Sequence, residues 1–334
     1  MRQRPRDPAR RAHEPDAANV TTSPSLIGLD WGTSSLRAFL FDNEGTVIDS
    51  RASAHGIMHL PEGGFTGAFD AVTAEWRTRW PRLPAISAGM IGSAHGWVEA
   101  PYRDTPAGIG ELSAALSRVA DVDLHVVPGI ATVGDRADVM RGEETQIVGA
   151  LEQCPALAAS ALLVLPGTHS KWVQVRDGKV DNFTTYLTGE LFAVLREHST
   201  LGRFAKDASC NADAAALSDA FMLGVVAAKR SARGIAPLLF STRSMVATKQ
   251  LAASISLEYL SGLLIGDELR CGLDGLAGGA RPAALIGDAA LCGRYIAALG
   301  AFEICDVPIV DSAAPVGLWH IARRAGLVPP SREN

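Results

Sequence analysis

No stretch of this sequence stays apolar for the roughly 18 residues that a membrane helix requires. The longest apolar runs are broken by Gly or Pro, so no membrane span is expected. Cysteine is scarce as well: Cys154, Cys210, Cys271, Cys292 and Cys305 are odd in number and show no C-x-x-C spacing. That argues against a disulfide or metal framework and points to a reducing cytoplasm with buried or incidental thiols. A basic excess is missing too, because the formal net charge is −5, whereas a nucleic-acid-binding body is usually basic. Residues 1–25 carry five Arg, three acids and several prolines but no apolar core of the kind a secretory signal needs. Asp7, Glu14 and Asp16 argue against an organellar transit peptide, so the segment reads as a disordered tail.

What remains is enough for two domains with real cores: 334 residues, 47% hydrophobic and 20% charged. The chain is organised around LIGLDWGTSSLRAFLFDNEG, Leu26 to Gly45. An apolar run ends in Asp30, passes through Gly32-Thr33-Ser34-Ser35 and leaves as a second apolar run, which predicts a strand, a tight polar turn and a returning strand. Glycine and small hydroxyl residues let backbone N–H groups approach an anion, so the turn reads as a phosphate cradle. Asp30 at the strand end is positioned to hold hydrated Mg2+, an ion that takes one or two carboxylates plus substrate oxygens. The alternative is an ordinary hairpin with a solvated Asp.

A second copy of the plan follows. LVLPGTHSKW, Leu163 to Trp172, repeats Gly32, Thr33 and Ser35 as Gly167, Thr168 and Ser170, and the turn acids Asp42 and Asp177 keep the same offset. Such self-similarity predicts a duplicated domain, with two phosphate-facing hairpins clamping a polyphosphate. The second hairpin has Leu165-Pro166 where Asp30 stood, so it is expected to donate to phosphate without binding metal. His169 and Lys171 add positive charge there, unless strand alternation turns Lys171 to solvent.

Between and beyond the hairpins, the pattern predicts a third strand from Gly45, a helix over 65–79, a buried strand over 85–92, a helix over 111–119 and a strand over 125–129. The loop Ser93 to Tyr102 gathers Ser93, His95, Trp97, Glu99 and Tyr102, with Arg103 beside it to pair with a carboxylate. That mixture at the exit of a central strand suits a polyhydroxylated ligand; the competing reading is a surface loop with one packed Trp. MRGEETQ places Glu143 and Glu144 in the first turn of a helix, where the helix dipole alone accounts for acids. Thr188 is the expected N-cap of a helix, long helical patterns cover 217–231 and 251–269, and Gly262 and Gly266 read as packing positions. A strand, a turn at Gly287-Asp288 and a helix to about Leu299 close the pattern.

In order along residues 26–300, DWGTSSLRAFLFD, AGMIGSAHGWVEAPY, MRGEETQIVGAL, LPGTHSKWV, YLTGELFAVLREHS, YLSGLLIGDEL and LIGDAAL resemble the 2-dehydro-3-deoxygalactonokinase family of the actin, hexokinase and sugar-kinase superfamily. The resemblance implies an α/β, two-lobed actin-like ATPase fold of duplicated ribonuclease-H-like domains with a nucleotide cleft between them. It implies an N-terminal lobe over 26–138 that binds the sugar acid and a C-terminal lobe over 139–334 with the adenosine site. ATP and Mg2+ are the implied cofactors, and the reaction is phosphorylation of 2-dehydro-3-deoxy-D-galactonate at its 6-hydroxyl in galactonate catabolism. Gly32, Thr33, Ser34, Ser35, Gly167, Thr168, His169 and Ser170 would bind the phosphates, Asp30 the metal, and Gly287 and Asp288 the adenosine. The superfamily's catalytic base falls on Glu143, Glu144 or Asp138, with Glu standing where many relatives have Asp. Lobe closure is expected about Gly142 and the helix after Tyr259. A small-molecule sugar acid and ATP are the partners, with no nucleic acid and no membrane, and a homodimer remains open. A kinase for another 3-deoxy sugar acid or sugar is one alternative; an actin-like ATP-driven switch is another, disfavoured by two lean lobes without extra subdomains.

Overall fold

The computed structural model describes residues 23–134, 136–206, 213–274 and 281–329. Most of the expected tail and Cys210 therefore lie outside the described residues. The apolar runs on either side of the first turn become β1 (Pro24–Trp31) and β2 (Leu36–Asp42), and β3 (Val47–Ser53) completes an antiparallel meander. β4 (Ala85–Gly89) joins β1 in parallel. Short strands β5 (Tyr102–Asp104), β6 (Ala107–Gly108), β7 (Ser117–Val119) and β8 (Leu124–Val126) follow. The first sheet has the order β3-β2-β1-β4-β8-β7. β9 (Gly129–Thr132) and β10 (Asp138–Met140) form a small sheet with β5.

The second half repeats the plan with β11 (Ser160–Leu165), β12 (Ser170–Arg176), β13 (Lys179–Tyr186), β14 (Ala284–Ile286) and β15 (Ile309–Val310). Its sheet runs β15-β14-β11-β12-β13-β6. Without the edge strands β7 and β6, both sheets read third, second, first, fourth, fifth. In both, the meander is antiparallel and the last two pairings are parallel. The duplication expected from the two turns is thus a duplication of topology, the two-lobed actin-like arrangement.

Both faces of each sheet are covered, and this sets where side chains of the site point. Ile27, Leu29 and Trp31 pack outward on the Gly64–Arg79 helix side, whereas Leu26, Phe41 and Ile86 face an inner core shared with Leu163, Leu165 and Val173 of the second sheet. Leu162, Val164 and Trp172 face an outer core with Phe221, Ile265 and Tyr295. The inner core is threaded by two crossing helices, Glu143–Gln153 and Ala313–Arg324. A Cβ on Gly149 would lie 1.9 Å from the Ala313 carbonyl oxygen, and one on Gly317 would lie 1.8 Å from that of Thr145, so the backbones touch at the crossing.

Two local expectations are corrected. The helix expected over 111–119 is only Ile109–Ser113, because Ser117–Val119 pairs with β8 as an edge strand. The helix that crosses the one after Gly142 is Ala313–Arg324, and Ser256–Asp274 packs on Ala214–Lys229. There Gly262 does act as a packing position, since its Cβ would meet the Phe221 carbonyl oxygen at 1.9 Å. Finally, the Thr188 hydroxyl does not cap its helix but donates to the buried Glu268 carboxylate. Among the described residues no helix is long and apolar enough to cross a membrane, and Cys154, Cys271, Cys292 and Cys305 are free.

Candidate active site

Both polar turns sit at strand ends that converge on the Glu143–Gln153 helix. At the first, Gly32 N–H donates to the Ser35 carbonyl at 2.9 Å, and Thr33, Ser34 and Ser35 are exposed. A strap behind it fixes the turn, with Ile57 and Met58 N–H donating to the Gly32 and Thr33 carbonyls at 3.1 Å. Asp30 lies on the inner face of β1, opposite Arg37 in the β1–β2 register, and Arg37 Nη2 donates to its Oδ2 at 2.5 Å. Sequence reasoning passed over Arg37. The register of a tight hairpin would have found it, because a turn at 32–35 pairs position 30 with position 37.

At the second turn Thr168 and His169 are exposed, whereas Ser170 is fully buried. Alternation across a sheet covered on both sides explains this: Ser170 and Trp172 point outward, and Lys171 and Val173 point inward. Ser170 Oγ donates to Glu268 Oε1 at 2.7 Å, so its hydroxyl is turned away from the exposed face of the turn. Glu268 also accepts from Trp172 Nε1 at 2.8 Å, Tyr295 Oη at 2.6 Å and Thr188 Oγ1. One buried carboxylate thereby ties the strand after the turn to the Thr188–His198 and Ala289–Gly300 helices. Glu190 N–H donates to the Thr168 carbonyl at 3.0 Å, and His169 Nε2 meets Glu190 Oε2 at 2.5 Å. Lys171 is 4% exposed, not turned to solvent.

The three candidate bases occupy different environments. Gly142, at φ +108°, brings the chain against Gly89 at the end of β4 and starts the helix. Glu143 is half-buried; its Oε2 accepts from Arg141 N at 3.1 Å, and its own backbone N–H also donates to the carboxyl. Burial pushes the Glu143 carboxyl above its ordinary range, against the pull of the Lys171 ammonium and of nearby backbone N–H groups. Glu144 is 1% exposed and spent locally, accepting from Gly142 N at 2.6 Å and Thr145 Oγ1 at 3.0 Å. Asp138 lies on β10, not in the helix, and accepts from Thr185 N at 2.7 Å, Thr185 Oγ1 at 2.6 Å and Val139 N at 2.8 Å.

Burial and the charge of Glu143 raise the Glu144 carboxyl from 4.5 to about 7. Between those values the folded protein keeps a proton here that the unfolded chain gives up, so this group costs stability as pH rises through the window. Glu144→Gln is therefore expected to flatten the fall in melting temperature between pH 4.5 and pH 7. Parallel thermal melts check it, and an unchanged slope would show that Glu144 is ionised throughout.

Around the loop after β4 the expected ligand-binding groups separate. Trp97 packs into the core, stacked on Phe65 at 5.9 Å between ring centroids and edge-on to Trp31 and Phe69. His95, Glu99, Tyr102 and Arg103 are exposed, and Ser93 Oγ is buried without a protein partner. Arg141, another residue missed from the sequence, lies over the Tyr102 ring at 4.4 Å and donates from Nη2 to the Ala100 carbonyl at 2.8 Å. A cleft of about 450 Å³ between the two sheets is lined by Arg37, Gln146, Pro166, Gly287 and Asp288. Gly287 sits at φ +141°, and Asp288 caps the following helix by accepting from Leu291 N at 2.9 Å.

A profile of 2-keto-3-deoxy-galactonokinase sequences matches residues 30–321, nearly the whole two-sheet body. The chain belongs to the 2-keto-3-deoxy-galactonokinase family. The 2-dehydro-3-deoxygalactonokinase of Escherichia coli (strain K12) is 36% identical over 299 residues, 89% of this chain and 97% of that protein. A Rhizobium meliloti (strain 1021) protein assigned the same activity is 37% identical over 310 residues, 91% of this chain and 98% of its own length. The crystal structure of a Sinorhizobium meliloti protein assigned as a 2-dehydro-3-deoxygalactonokinase superposes with a TM-score of 0.80 at 36% identity, covering 89% of this chain and 98% of that one. The chain is thus a kinase of an ATP-using family.

Proposed function

We propose that this galactonokinase-family chain transfers the γ-phosphoryl group of ATP to the 6-hydroxyl of 2-dehydro-3-deoxy-D-galactonate, with Glu143 as the base. The observation that carries the assignment of the base is the contrast among the three acids: the Glu143 carboxylate is held by backbone N–H groups alone, close enough to the second turn to feel the charges of Lys171 and His169, while Glu144 and Asp138 each accept from a side-chain hydroxyl as well and have donors on both oxygens. The reaction is an in-line displacement. Glu143 orients the hydroxyl and takes its proton, the oxygen–phosphorus bond forms, and the bridging bond to ADP breaks. Backbone N–H groups and hydroxyls of Gly32, Thr33, Ser34 and Ser35 on one side, and of Gly167, Thr168 and His169 on the other, hold the phosphates. Ser170 supports that turn through Glu268.

Mg2+ fits Asp30 by the chemistry of the donors. One carboxylate at a strand end, with Oδ2 held by Arg37, suits an ion that otherwise takes phosphate oxygens and water. Bound there, it would neutralise charge on the phosphates. The adenosine is assigned to the turn at Gly287 and Asp288. The sugar acid is assigned to the loop of Ser93, His95, Glu99, Tyr102 and Arg103, with Trp97 as its packed anchor. In this reading residues 26–138 form the sugar-acid lobe and 139–334 the adenosine lobe, and the protein works in the cytoplasm. The test is coupled ATP consumption over a panel of sugar acids and sugars. The largest kcat/KM is expected for 2-dehydro-3-deoxy-D-galactonate; a higher value for another 3-deoxy acid would reassign the substrate.

A further inference from the structure

Superposing the registers of the two hairpins exposes an asymmetry. In the first, Asp30 faces Arg37 across the strands; at the equivalent inner position of the second, Leu165 faces Lys171. The second hairpin is one residue shorter between these partners, so a cation again stands on the inner face, but without the acid. Arg37 is an exposed residue paired with Asp30 at 2.5 Å, whereas Lys171 is 4% exposed and no carboxylate lies within 4 Å of it among the described residues. Its Nζ donates to two neutral oxygens, the Val139 carbonyl at 2.8 Å and Thr185 Oγ1 at 2.7 Å. The nearest acid along that chain, Asp138, already accepts from Thr185 N, Thr185 Oγ1 and the Val139 N–H.

A buried ammonium without an anion is costly, and it carries three N–H donors of which two are used. Lys171 directly follows the second phosphate turn. It also shares the inner face of its sheet with the Glu143–Gln153 helix, and its charge is felt at Glu143. A cation between a phosphate-binding turn and the base stands where charge gathers during transfer. We propose that Lys171 is a catalytic residue whose remaining N–H binds an equatorial oxygen of the transferring phosphoryl group, supplying the anion partner that the fold withholds. The proposal rests on the reading of the site as a phosphoryl-transfer centre. In the step, the hydroxyl proton passes to Glu143, the 6-oxygen bonds to the γ-phosphorus, and the bridging oxygen leaves with ADP. Lys171 changes no bond and lowers the energy of the charge on the passing group.

Lys171→Met keeps length and apolar fit while deleting the charge; Lys171→Gln, which retains a donor for Thr185, serves should the Met variant not fold. Single-turnover transfer is measured by rapid quench, with ATP and sugar-acid affinities from titration. Removal of one such donor is expected to slow transfer by about 10²- to 10³-fold with both affinities within about threefold, and Lys171→Arg is expected to restore at least about tenfold. Transfer within about threefold of wild type would overturn the proposal. So would a loss confined to sugar-acid affinity, which would move Lys171 to the substrate carboxylate. Absence of transfer in the wild-type arm would overturn the transfer reading itself, and that arm reports it separately.

Discussion

Glu143→Gln is expected to slow phosphoryl transfer by about 10²- to 10⁴-fold while leaving ATP affinity unchanged. The amide still accepts the Arg141 N–H that holds the side chain, so geometry survives, but it cannot take a proton. Because burial holds the Glu143 carboxyl above its ordinary range, the acid limb of kcat should sit above the usual carboxylate range. Activity is then lost as pH falls through that raised value, since the base must be ionised. Rapid-quench transfer at saturating ATP and sugar acid isolates the chemical step from product release. Glu144→Gln and Asp138→Asn should do less, as their oxygens are occupied. A hundredfold slower transfer in Asp138→Asn than in Glu143→Gln would move the base to β10. Equal, small losses in all three would leave positioning and charge neutralisation as the whole of catalysis.

Asp30→Asn comes next in size, with a loss of about 10²-fold or more in metal-dependent turnover, because charge at the phosphates is the term that phosphoryl-transfer sites depend on most. The fold should be untouched: Asp30 lies at a strand end and its partner Arg37 is exposed, so the substitution removes charge and coordination and leaves packing intact. Titration of Mn2+ into the ADP-bound protein gives a readout independent of turnover and should show weakened metal binding. Near-wild-type turnover in a folded variant would remove Asp30 from the site.

Much of this was legible from residues because it rests on local rules. The two Gly-Thr turns and their flanking apolar runs announced the meanders, and their repetition announced the duplicated topology of the two sheets. Cross-sheet facts were less accessible. Whether Lys171 faces water or core depends on whether a second layer covers β12, which alternation alone does not tell. The identity of the crossing helix was hidden because the Ala313–Arg324 segment meets Gly149 only through the tertiary fold. Glu268, which gathers four donors from three distant elements, reads in sequence as one acid in an amphipathic helix. Trp97 belonged to the aromatic packing around Trp31, the bland alternative considered for that loop.

The most direct test follows phosphorus. With ATP and 2-dehydro-3-deoxy-D-galactonate, 31P NMR should show one phosphomonoester, split by the two protons on C6, growing in step with ADP. Growth of inorganic phosphate in place of that signal would contradict transfer and return the cleft to an ATP-hydrolysing switch.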